Sequence, residues 1–160
     1  MGEYHIRRKD REITDNEEIS KILKTGKYAI IAMAMGNEPY VVTLSYGYDE
    51  TSNSMYFHCA NTGRKIDYIK ANSRVCATII EDKGYVREKC EHHFSSLIIS
   101  GNIHILEEIE DKEKGLKILM NHLEQNPQPI YDRNIKGPDS YQKVTILRLQ
   151  IDSITGKKGQ

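Results

Sequence analysis

No stretch of this sequence is apolar for long enough to cross a bilayer, and its first residues are charged rather than signal-like. Neither sign of charge is in excess. The 23 lysines and arginines are matched by 23 aspartates and glutamates, so no net field draws the chain to nucleic acid or to an anionic membrane. Cysteine is scarce: three residues, an odd number at irregular spacing, make no disulfide framework and suit a reducing compartment. These absences point to a cytoplasmic protein. Also missing are a glycine-rich dinucleotide fingerprint, a P-loop and a nucleophile elbow. Cys90-x-His92-His93, with His58 and Cys59 elsewhere, has no second paired cluster at ligand spacing, so no metal is expected. Asp67 and Glu81 have no spacing that suits paired-carboxylate chemistry.

The 160 residues, 38% of them hydrophobic, suit one domain with an adequate core. Residues 1–13 are polar and read as an N-terminal arm. Thr14-Asp15-Asn16-Glu17 reads as a capping box for a helix over about Asp15 to Thr25, with Gly26 as its stop. Tyr28 to Met35 is almost wholly apolar, as a strand buried on both faces would be. Pro39 to Tyr48 alternates, with Tyr40, Val42, Leu44 and Tyr46 on one face and Val41, Thr43, Ser45 and Gly47 on the other. Small polar side chains on that second face suit either a planar ligand or an ordinary half-exposed strand. Further strands are expected over Ser54–Ala60, Arg74–Glu81, Ser95–Leu106 and Gln142–Ile151, with a bulge or close backbone approach at Gly101. Asp82 to His93 reads as mostly irregular. Leu116, Leu119, Met120 and Leu123 mark a helix over Asp111–Gln125. Residues 126–141, which include Pro127, Pro129 and a Gly-Pro pair, read as an irregular interface or lid segment. Six strands and two substantial helices, with no regular βαβ crossovers, argue for a mainly β fold with flanking helices around an antiparallel barrel.

One stretch carries chemistry. Between the strand ending near His58 and the helical pattern from Ile66 lies Cys59-Ala60-Asn61-Thr62-Gly63-Arg64-Lys65. A helix start offers free backbone N–H groups and a positive dipole end, and both favour an anion. Arg64 can fork onto two phosphate oxygens and Lys65 adds a compact charge. Two cations in a first turn oppose the dipole unless an anion sits there. The spacing therefore reads as a phosphate-binding corner; by itself it suits two solvated surface charges equally well.

This corner resembles that of the FMN-binding split-barrel proteins around pyridoxamine 5'-phosphate oxidase. Several stretches in order resemble the nitroimidazole-resistance (nitroimidazole reductase) branch. They are Arg7-Arg8-Lys9-Asp10-Arg11-Glu12-Ile13, Pro39 to Leu44, Tyr56-Phe57-His58, Gly63-Arg64-Lys65, Phe94-Ser95-Ser96-Leu97 with Gly101, and Thr155-Gly156-Lys157. The resemblance implies a six-stranded antiparallel split β-barrel that forms homodimers, with FMN at the interface. It implies Arg64, Lys65 and Gly63 at the phosphate, and Val42, Thr43, Leu44, Ser45, Ala60 and Ser96 as further cofactor contacts. His58 would line the pocket as the catalytic residue, or else be a hydrogen-bonded strand end. Phe94 and Ser95 replace a tyrosine and an arginine of the family pattern, which removes whatever contacts those would make. Lys157 matches the family's ending or belongs to a solvated tail.

The implied activity is flavin-dependent reduction of a small acceptor such as a nitroaromatic compound, with electrons from a reduced nicotinamide or another donor. A flavin-binding protein without turnover, a pyridoxamine-phosphate-oxidase-like oxidase and a haem-binding relative are the alternatives. The oxidase is disfavoured because the basic substrate-phosphate motif expected near that enzyme's C-terminus is missing.

Overall fold

The structure, a computed structural model, describes residues 6–159. Its frame is one antiparallel sheet. The strands are β1 (Glu12–Ile13), β2 (Tyr28–Met35), β3 (Glu38–Ser45), β4 (Gly47–Asp49), β5 (Ser54–Cys59), β6 (Arg74–Val86), β7 (Glu91–Ile105) and β8 (Thr145–Gly159). Their order is β3-β2-β6-β7-β8-β5-β4, with β1 on β8. The outermost strands, β3 and β4, are consecutive in sequence and separated only by Tyr46. The sheet must therefore curl until its two ends meet at that residue. Tyr46 is fully buried and donates from its hydroxyl to the Leu23 carbonyl at 2.8 Å, which fixes the corner. Among the described residues no ladder joins β3 to β5, although the two approach each other. The ring thus stays open along a seam.

Eight strands replace the expected six, for local reasons. The run from Pro39 divides at Tyr46, because β3 pairs with β2 whereas β4 pairs with β5. The segment expected to be irregular, 82–93, extends a hairpin in which Tyr85 pairs with His92 and Val86 with Glu91 across a register shift. The arm expected over 1–13 lies partly outside the described residues. Within them it makes a 3-10 turn at Lys9–Arg11 and then docks, Glu12 opposite Lys157 and Ile13 opposite Gly156. The ending is not a solvated tail, since β8 continues eight residues past Ile151 between β7 and β1.

β2 is buried on one face of the chain and not on both. On the other, outer face, Tyr28, Val41, Ile80 and Ile98 are 51%, 59%, 44% and 46% exposed. The pairing register sets Thr43, Ile30, Thr78, Ile98 and Thr155 in one row across that face.

Four helices complete the chain. α1 (Asn16–Thr25) is capped by Asp15, whose carboxylate accepts from the Glu17 N–H at 2.9 Å; the expected Thr14 cap lies one residue too early. α2 (Arg64–Ala71) follows β5, and α3 (Ile109–Leu123) lies against β4, β5 and β8. The segment expected to be irregular over 126–141 holds α4 (Gln128–Asn134), which has Pro129 in its first turn, and a 3-10 segment, Pro138–Lys143. The missing periodicity follows from α4's shortness and from its burying no residue. No helix among the described residues is long and apolar enough to cross a membrane.

Two apolar clusters result. The larger, inside the curl, includes Leu23, Ile31, Tyr46, Phe57, Ile79, Leu97 and Leu147. The smaller, Tyr56, Leu106 and Ile146, lies on the other side of β5 and β8, with Leu116, Ile118 and Val144 against it. His122 at the end of α3 pins this outer layer to the corner. Its Nε2 donates to the Gly26 carbonyl at 2.6 Å, and Nδ1 accepts from the Tyr48 N–H at 3.4 Å. Only the neutral ring makes both bonds, and burial holds its pKa below the ordinary value of 6.5.

On acidification the unfolded chain takes up this proton first. The contribution of His122 is therefore complete above about pH 6.5 and lost as pH falls below it. Denaturation midpoints between about pH 5 and pH 7.5 should thus decline less steeply for His122→Gln than for the parent chain. Parallel profiles would remove this role.

Candidate functional site

The seam is bordered by two elements. On one side, β3 pairs only with β2 among the described residues, so alternate backbone groups along its other edge are free. On the other side, β5 ends at Cys59 and the chain turns through 60–63 into α2. Asn61 anchors that turn: its amide donates to the Gln142 carbonyl at 2.8 Å, and its carbonyl accepts from the Thr145 hydroxyl at 2.8 Å. Partners more than 80 residues away give no sequence signal, and this residue was not expected to matter.

Gly63 caps α2 with φ +125°, a conformation only glycine adopts without strain. Among the described residues, and its two chain neighbours aside, no atom lies within 4 Å of where a side chain there would begin, so the corner is open. Among the described residues no side chain caps the helix, and its first backbone bonds run from Ile66 and Asp67 to the Gly63 carbonyl at 2.9 and 3.3 Å. The Arg64 and Lys65 amides lie ahead of that ladder, as first-turn donors do.

The Arg64 guanidinium sits 4.7 Å from the Tyr40 ring centroid and donates to the Tyr68 hydroxyl at 3.2 Å. Tyr40 and Tyr68 are themselves 5.2 Å apart, so the cation is held on an aromatic shelf and keeps most of its donors free. Tyr68, four residues on from Arg64, was legible as a helical neighbour; Tyr40, from another element, was not. Lys65 is half-buried, and its charge offsets part of the burial that raises the Cys59 thiol pKa.

The expected residues fall into three groups. Gly63, Arg64 and Lys65 form the corner, with Ala60 exposed just before it and His58 at the end of β5. Along β3, Thr43 and Ser45 are exposed on the outer face as expected, whereas the side chains of Val42 and Leu44 turn toward the core and their backbone groups toward Ile31 and Ala29 of β2. Arg64 stands by Tyr40, so Thr43 and Ser45 lie about 10 and 17 Å further along the strand.

Ser96 is not brought to this group within one chain. It lies on β7, three strands or about 14 Å from β3, on the same outer face as Ile98, and donates to the Lys157 carbonyl at 3.5 Å. His58 is the single exposed residue of β5 and lines a cavity beneath α3 and α4. Cys90 lies in the tip of the β6–β7 hairpin, where His92 pairs with Asp82 at 2.8 Å. No group of three potential metal ligands occurs among the described residues.

A family profile described as pyridoxamine 5'-phosphate oxidase matches residues 15–158. No curated protein matches the chain. Among solved structures, a candidate 5-nitroimidazole antibiotic resistance protein from Bacteroides thetaiotaomicron is similar at TM-score 0.79 and 21% identity, over 98% of this chain and 96% of that one. An FAD-binding protein from Mesorhizobium loti gives 0.69 and 23%, over 94% and 98%. An FAD- and heme-binding protein from Mycobacterium smegmatis gives 0.77 and 13%, over 94% and 74%. At these identities the likeness is one of fold.

Proposed function

Since the chain belongs to the pyridoxamine 5'-phosphate oxidase family, we propose that it binds FMN along the seam and uses it to reduce small acceptors such as nitroaromatic compounds. The observation that carries this reading is the corner: an uncapped helix start, two cations in its first turn, and open space over Gly63. Arg64 and Lys65 hold the phosphate. The free edge of β3, where the backbone groups of Thr43 and Ser45 point outward, borders the ring together with their side chains, and Val42 and Leu44 back it from the core side. Ala60 leaves room beside it, and His58 stands at the boundary between the flavin and its acceptor.

The bound flavin supplies the electron transfer, and the chain supplies position and charge. Purified protein mixed without oxygen with reduced nicotinamide should lose its flavin absorbance and regain it on adding a 5-nitroimidazole. Flavin that binds but accepts electrons from no donor supports a carrier without turnover. An extracted FAD in place of FMN, or a Soret band, would replace the cofactor proposed.

Two copies pair through the outer face of β3, β2, β6 and β7, which explains its exposed Tyr28, Val41, Ile80 and Ile98. Ser96 then reaches the flavin of the partner subunit rather than its own. Ile98→Glu, on an exposed position of a central strand, should leave the monomer folded and weaken pairing about a hundredfold. Light scattering should then give 18.4 kDa where the parent chain gives twice that. A variant that still forms dimers would move the interface elsewhere.

A further inference from the structure

On the far side of β5 from the seam lies a cavity of about 440 Å³. Its walls are Leu116, Met120 and Leu123 of α3, Ile130 and Ile135 at α4, and Val144, all of them half-buried. We infer that this cavity is a second small-molecule site, which takes an uncharged or cationic molecule of one or two rings and excludes phosphorylated ones. The site goes beyond the reading above, since it lies across β5 from the proposed flavin and shares with the residues expected there only His58.

The volume falls within the usual range for small-molecule sites, as does a mostly apolar lining with few polar groups. α4 buries none of its own residues in the protein interior. Polar contacts hold this layer: the Tyr131 and Tyr141 hydroxyls pair, and Lys112 Nζ donates to the Tyr141 carbonyl at 3.2 Å. The apolar Ile130 and Ile135 are thereby left facing the cavity.

The polar groups set the charge of the occupant. They are the His58 imidazole, the Asn134 amide, the Ser140 hydroxyl and the Glu124 carboxylate; no lysine or arginine lines the space. Ser140 already accepts from the Lys136 N–H at 3.0 Å, and its own hydrogen stays free to donate. A phosphate placed here would lose its water and meet a carboxylate with no lysine or arginine beside it. A neutral ring loses little and covers the apolar walls.

Calorimetric titration of the protein with indole, quinoline, 5-nitroimidazole and pyridoxamine 5'-phosphate, with and without FMN, tests this. At least one uncharged probe should bind about a hundredfold more tightly than the phosphate. Leu123→Trp should abolish that binding while changing FMN affinity by less than about threefold, and Ile135→Lys should bring the phosphate's affinity up. Three results would each overturn the inference: no uncharged probe bound at about 10 mM, probe binding that survives Leu123→Trp, or an FMN affinity that falls with the probe's. Failure of FMN to bind while probe binding depends on Leu123 would instead remove the flavin reading and leave the cavity.

Discussion

Replacing Arg64 and Lys65 together by alanine is expected to weaken FMN binding by about a hundredfold or more. Each cation makes a charge-assisted contact with the phosphate, and each such contact is worth roughly a tenfold in affinity at a solvent-facing site. Arg64 starts with an advantage, since Tyr40 and Tyr68 hold it in place before any ligand arrives and little side-chain freedom remains to be lost. The flavin-free protein should not suffer. Removing two positive charges from the first turn of α2 takes away repulsion with the helix dipole, which offsets the lost Arg64 contacts with Tyr40 and Tyr68, so its thermal midpoint should stay level to within about 2 °C. FMN, which raises the parent's midpoint by binding only the folded state, should no longer do so. Fluorescence titration together with melting curves separates these two effects. A variant that keeps the parent's FMN affinity would put the phosphate elsewhere.

The second large effect falls on the frame that shapes the seam. β8 carries a bulge opposite Gly101: Ser100 pairs with Ser153 and Gly101 with Ile151, which leaves Asp152 over. The extra residue is used, because its carboxylate pairs with Arg74 and accepts from Asn102 at 3.3 Å. Bending the ladder this way brings the strands so close that a Cβ on residue 101 would lie deep inside the Gln150 carbonyl oxygen and 3.0 Å from Leu149 Cδ1. The obstacle is backbone held in ladders on both sides, so it cannot rotate away. Gly101→Ala should cost about 3 kcal/mol, the upper end for an overpacked core, and lower the melting midpoint by about 6–12 °C. A drop of under about 2 °C would mean that the strands can part there.

Much of this was legible in the sequence. Gly101 stood out as a glycine inside a strand pattern, and the alternation from Tyr40 to Ser45 placed Thr43 and Ser45 on the open face. Arg64 and Lys65 were visible as a charge pair after a glycine at a strand-to-helix junction. What was hidden depends on partners far along the chain. Nothing local says that Asn61 is tied to Gln142 and Thr145, or that Tyr40 supports Arg64. The hairpin over 82–93 looked irregular because both of its strands are polar and solvated, so no apolar alternation marks them. β2 looked buried on both faces because its outer residues are apolar as well. In the single chain that face is open, and it is the one through which pairing is proposed above.

The apolar cavity behind His58 was hidden for a related reason. Leu116, Met120 and Leu123 read as the inward stripe of an ordinary helix, yet beside the buried Leu119 they are only half-covered. A stripe that meets a strand and one that meets a void look the same in sequence.

The claim on which the rest depends is that a phosphate docks where β5 gives way to α2. Comparing FMN with riboflavin, which lacks only the phosphate, isolates that contact in the parent chain and in the Arg64→Ala/Lys65→Ala variant. FMN should bind the parent about a hundredfold more tightly than riboflavin does, and the two should bind the variant alike. Equal affinities in the parent, or a preference for FMN that the variant keeps, would contradict the account.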